Sequence, residues 1–145
     1  MRKDEASLNA LFEIYESTMD IKIKKQLIYT FSQNKSQKAR EKLLHIAGND
    51  KDIKAREQAL YWLAQEKSEE AMNLLVEMYK KSDSAEFKNQ VLFFIAQYKT
   101  RRAVQEMIKI AKEEMDPELK KQVIFWLGQS KDEEAIKFLK ELLEK

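Results

Sequence analysis

The stretch QALYWLAQEKSEEA (58–71) has three counterparts: QLIYTFSQNKSQKA (26–39), QVLFFIAQYKTRRA (90–103) and QVIFWLGQSKDEEA (122–135). All four align at a constant spacing of 32 residues, with no insertion. Two glutamine columns result, Gln26/58/90/122 and Gln33/65/97/129, which hold eight of the ten glutamines in the chain. Lys35/67/99/131 and Ala39/71/103/135 are invariant between the units, and a basic residue recurs at Lys24, Arg56, Lys88 and Lys120. Self-similarity at such a period is the signature of a repeat architecture.

Each unit reads as two helices. The first begins after Asp20, Asp52, Ser84 or Asp116, and the second after Ser36, Ser68, Thr100 or Asp132. All eight are residue types that cap helix N-termini. In the second unit the apolar stripe of the first helix is Ala55, Ala59, Leu60, Trp62 and Leu63, at helical spacing. The second helices carry the alanine column, Leu43/Leu75/Met107/Leu139 and Ile46/Met78/Ile110/Leu142. Two short helices with one apolar face each cannot bury those faces alone, so neighbouring pairs must stack. The expectation is an all-α solenoid of about four and a half helix pairs, forming a single domain over residues 1–145. Its full repeats are 20–51, 52–83, 84–115 and 116–145, and 5–19 is an N-terminal half-repeat. Leu11, Ile14 and Tyr15 fall in the columns of Leu43, Ile46 and Ala47, so this half-repeat is a second helix acting as a lid. Lys140 stands where other units have Leu44, Val76 and Ile108, as a water-facing terminal repeat requires.

Composition agrees. Two glycines and one proline in 145 residues leave few helix breakers. Charged residues make up 36 % of the chain, yet the formal net charge is only +2, which gives a nucleic-acid partner little support. No cysteine is present, so disulfides and thiolate metal sites are excluded. No apolar run approaches a membrane span, and the N-terminus lacks a signal-peptide core. The compartment stays open, with the cytoplasm slightly favoured.

The last unit, DPELKKQVIFWLGQSKDEEAIKFLKELL (116–143), resembles a HEAT repeat of the short bacterial, phycobilisome-lyase type. The matching residues are Asp116, Pro117, Lys120, Val123, Leu127, Gly128 and Ala135. The chain departs from that pattern in having lysine where a turn glycine is common (35/67/99/131), and bulky Trp62, Phe94 and Trp126 where the pattern is small. The resemblance implies a right-handed superhelix and, for most members, a binding scaffold. A minority carry chemistry. The paired His-Glu motifs of iron-dependent members are absent, since the one histidine, His45, precedes Ile46.

No catalytic set emerges from the residues. Glu69-Glu70, Glu113-Glu114 and Glu133-Glu134 are adjacent in sequence, and adjacent helical residues point about 100° apart, so they do not converge on one atom. No glycine-rich loop is available to hold phosphate. The expectation is a protein that is not an enzyme, with no cofactor and no metal site.

Two surfaces qualify for binding. On the first helices Tyr29, Tyr61, Phe93 and Phe125 lie opposite the apolar arc, flanked at i−3 and i+4 by the glutamine columns. These rings either lean into the grooves between helices or form an exposed anchoring strip on the convex side. The glutamines are expected to tie one helix to the next. The second helices, expected on the concave side, alternate in charge: weakly basic Lys38, Glu41 and His45 are followed by acidic Glu69, Glu70, Asn73 and Glu77, then by basic Arg101, Arg102 and Lys109 with Gln105, then by acidic Glu133, Glu134, Lys137 and Glu141. Leu74 and Phe138 add apolar contact points. This alternation suits ion pairs between repeats. It also interrupts the basic track that a nucleic acid requires. If the concave band is the binding face, reversing the charge of Arg101 and Arg102 is expected to abolish partner binding with little loss of fold. The function expected is a scaffold for a protein or peptide partner, with no membrane association; the oligomeric state is left open. The alternatives are an accessory protein handling a chromophore or small ligand, or an engineered or excised repeat scaffold with no native partner.

Overall fold

A computed structural model describes residues 3–144. Among the described residues there are nine α-helices and no strand: α1 (Lys3–Ser17), α2 (Ile21–Gln33), α3 (Gln37–Asn49), α4 (Ile53–Gln65), α5 (Glu69–Lys81), α6 (Ala85–Gln97), α7 (Arg101–Glu113), α8 (Pro117–Ser130) and α9 (Glu133–Glu144). All eight expected caps form. The side chains of Asp20, Asp52, Ser84 and Asp116 accept from amides in the first turns of α2, α4, α6 and α8. Ser36, Ser68, Thr100 and Asp132 do the same for α3, α5, α7 and α9, each accepting from the amide of the invariant alanine. A cap of this kind is worth about 1 kcal/mol. The alanine is buried in every unit, where a larger side chain would hold the two helices apart.

The lysine column has a backbone reason. Lys67, Lys99 and Lys131 take left-handed φ values of 51°, 54° and 57°. They turn the chain where a glycine is easiest to accommodate. The first connector differs, since Asn34 is extended and its side-chain oxygen accepts from the Ser36 amide at 2.9 Å.

Contacts divide the chain into two compact units, residues 1–65 and 66–145. In the first, α2 packs on α3 and α4, α3 on α4, and α1 on α2. Leu27, Ile28, Phe31, Leu43, Ile46, Leu60 and Leu63 are buried there, and Phe12 of α1 meets Phe31 edge-on at 5.1 Å. In the second, α5 packs on α6, α6 on α7 and α8, and α9 on α7 and α8. Val91, Leu92, Ile95, Met107, Val123 and Leu127 are buried in that unit. Lys140 is exposed, and so are Ile136 and Leu143 on the same terminal helix. Trp62 is not a core residue. It lies half-buried at the edge of α4, while Ala64 takes the buried place beside Leu63.

Candidate interaction surface

Tyr29, Tyr61, Phe93 and Phe125 are exposed, between 42 % and 51 % of each residue. They are not bare. Trp62 stands between Tyr29 (5.2 Å between ring centroids) and Tyr61 (5.0 Å), edge to face with both. In the second unit Trp126 bridges Phe93 (5.6 Å) and Phe125 (5.0 Å), and Phe93 also meets Phe94 at 5.5 Å. Edge-to-face pairs at such distances contribute about 0.5–1.5 kcal/mol beyond area burial. The bulky residues that depart from the family pattern therefore act as wedges that hold the exposed rings upright. The sequence left open whether the rings are packed or exposed, and it did not assign the wedges this role. The signal was available, because each wedge directly follows a ring position.

The glutamines do not tie helix to helix. Among the described residues, the hydrogen bond of a column glutamine side chain is that of Gln33 to Ser32 at 3.2 Å, within α2. Gln26, Gln33, Gln65, Gln122 and Gln129 are exposed, and Gln58, Gln90 and Gln97 are half-exposed. Their amides flank the rings in contact with solvent.

On the second helices the arginines are occupied within the protein. Arg101 reaches Asp132 (3.2 Å) and Glu134 (3.0 Å) at the start of α9. Arg102 bonds Glu69 at 2.6 Å and Asn73 at 2.7 Å on α5, and Glu106 on its own helix at 3.4 Å. Glu106, which sequence reading overlooked, is 7 % exposed and lies 3.7 Å from Lys109. Its column otherwise holds Lys42, Leu74 and Phe138, and the two apolar members were a sign that the position is sheltered. Gln105, Lys109 and Glu70 are exposed, Leu74 is half-buried, and Phe138 is 7 % exposed with the Lys112 ammonium 5.8 Å over its ring.

One further arrangement occurs in both units. Tyr15 donates its hydroxyl to Asp50 at 2.5 Å, while Lys24 sits 5.1 Å over the Tyr15 ring and 3.2 Å from the same carboxylate. Tyr79, Glu114 and Lys88 repeat it, at 2.5, 5.1 and 3.9 Å. Each carboxylate also accepts from the backbone amide two residues on, Asp52 or Asp116. Burial alone would raise both carboxyl pKa values. The tyrosine bond, the backbone amide and the lysine outweigh it and hold both below the usual carboxylate range. Burial and the carboxylate push the two phenols up, so both stay protonated as donors. Tyr15, Lys24, Asp50 and His45 line a cleft of about 650 Å³; Tyr79, Lys88 and Glu114 line one of about 390 Å³. Among the described residues, no three His, Cys, Asp or Glu side chains gather to hold a metal ion, and no helix is long and apolar enough to cross a membrane.

The family model described as HEAT repeats matches residues 8–93. The chain belongs to the HEAT-repeat family. The PBS lyase HEAT-like repeat matches residues 119–145 of this HEAT-repeat protein, so the resemblance of its last unit to that type holds. No curated protein matches it. HEAT repeats generally mediate protein interactions, and the lyase-type match is compatible with a role in handling a ligand.

Proposed function

We propose that this HEAT-repeat protein is a non-enzymatic scaffold that binds a protein or peptide through the aromatic rungs of its first helices. The observation that carries the reading is the contrast between its two faces. Four half-exposed rings stand between solvent-facing amides, whereas Arg101 and Arg102 are held by carboxylates of neighbouring helices. Aromatic side chains supply large contact area with few rotors to freeze, which is why they dominate binding hot spots. An arginine already paired must break its bonds before it serves a partner. A nucleic acid suits neither face, because charge beside the rungs is sparse and mixed (Lys25, Glu57 and Lys121) and the second helices alternate in sign.

The test is affinity capture from the native extract, comparing wild type with Phe93→Ser/Phe125→Ser and with Arg101→Glu. The reading requires that a protein held by wild type is lost by the aromatic variant and kept by the arginine variant. The opposite pattern would move the site to the second helices. A second reading, an accessory protein for a chromophore or small ligand, is favoured by the PBS lyase match over 119–145. Under that reading a pigment or small molecule, rather than a protein, accompanies the purified chain.

A further inference from the structure

We infer that the aromatic rungs recognise a proline-rich segment in the polyproline II conformation. The inference rests on the reading of these rungs as the binding surface and specifies its partner. Spacing is the first argument. Trp62 lies 5.2 Å from Tyr29 and 5.0 Å from Tyr61, so successive rungs are at most about 10 Å apart, as expected for adjacent packed helices. Phe93 and Phe125 stand in the same relation about Trp126. A polyproline II helix advances about 3.1 Å per residue and repeats every three residues, or about 9 Å per turn. One turn of such a peptide therefore spans one rung to the next, and the proline of each turn meets an equivalent ring.

Width is the second argument. Each pair of rungs is one ring wide on each helix, with glutamines one turn before and one turn after the ring, at i−3 and i+4. An amphipathic helix presents an apolar face roughly 100° wide and needs a groove to receive it. A polyproline II segment presents a narrow ridge. Its carbonyls have no partner within the peptide, and its prolines carry no amide hydrogen. Such a ligand needs donors alone, which a carboxamide NH2 supplies. The exposed amides of Gln26, Gln33, Gln122 and Gln129 stand beside the rings as those donors. The glutamine columns are uncharged, and the i−4 column beside them mixes Lys25 and Lys121 with Glu57 and Asn89, so neither sign of charge runs along the rungs and the ligand class is a proline-rich segment without a strong net charge.

The chain carries its own reporters, since Trp62 and Trp126 are its two tryptophans and one stands between the rings of each pair. The experiment titrates the full chain with a decaproline peptide and follows tryptophan fluorescence, with a glycine–serine decamer as control. The expected result is a saturable change with decaproline, none with the control, and affinity at least tenfold weaker when the rings of both pairs are removed (Tyr29→Ala/Tyr61→Ala/Phe93→Ala/Phe125→Ala). Gln122→Ala/Gln129→Ala removes exposed amides without touching the core, so a several-fold loss there reports binding and not unfolding. No saturable change with decaproline overturns the inference, and so does equal affinity in the aromatic variant. The two levels separate. If decaproline is silent but the aromatic variant still loses its captured protein, only the proline-rich class fails. If decaproline is silent and capture is unaffected, the binding role of the strip fails with it.

Discussion

Lys67, Lys99 and Lys131 occupy left-handed backbone that a non-glycine residue enters at a cost of about 1–2 kcal/mol. Replacing any one of them by glycine should raise stability by about 0.5 kcal/mol, after the greater chain entropy of unfolded glycine is set against the relieved strain. Lys35 does not share that φ, so Lys35→Gly should be neutral or harmful. Thermal or urea unfolding of the four variants checks the contrast. Gly128 is the reverse case. It lies inside α8, and a Cβ there would meet nothing within 4 Å. Gly128→Ala should therefore stabilise by about 0.5–1 kcal/mol. The repeated lysine was visible in the sequence as a departure from the family pattern. Its left-handed φ was not, because lysine carries no compositional sign of that conformation.

At the scale of the elements, caps and core were legible because N-cap chemistry and helical periodicity are local. Contacts joining one helix pair to the next were less so. The charge alternation foretold ion pairs, but not that Arg102 bridges α5 to a sheltered Glu106. The expectation that reversing both arginines spares the fold gives way for this reason. Arg102→Glu sets three acidic side chains together around position 102. Even Arg102→Ala should cost roughly 1–2 kcal/mol, less than a fully buried pair because Arg102 is partly solvated. Gln105→Ala, on the exposed side of α7, should change stability by less than about 0.5 kcal/mol in the same urea series.

The tyrosine–lysine–carboxylate sets escaped sequence reading because their members lie 9 to 35 residues apart and recur in alternate repeats only. Tyr15 and Tyr79 share a column with Ala47 and Ala111, and Asp50 and Glu114 share one with Ser82. Their effect on stability has a definite sign. Both carboxyls are depressed in the fold, so their contribution is present above the unfolded values of 3.8 and 4.5 and is lost as pH falls below them. Both phenols are raised, so theirs is present below 10.0 and is lost as pH climbs beyond it. Asp50→Asn/Glu114→Gln should flatten the acid limb of a stability–pH profile, and Tyr15→Phe/Tyr79→Phe the alkaline limb.

For the whole molecule, the repeat announced the family and the helical class. Whether the rings are packed or exposed needed side-chain positions, since the two look alike on a helical wheel. Phe93→Ser and Phe125→Ser should each cost about 1–3 kcal/mol in stability, because both lose an edge contact with Trp126 and the burial of about half a ring, and Phe93 also loses its contact with Phe94. Such a cost leaves the chain folded and its binding measurable. The most direct measurement places the photo-reactive residue p-benzoylphenylalanine at Phe125 in one sample and at Gln105, exposed on α7, in another. Each is irradiated in native extract. A scaffold that binds through its aromatic rungs gives a crosslinked protein partner from position 125 and none from position 105. A partner crosslinked from 105 and not from 125 would contradict it.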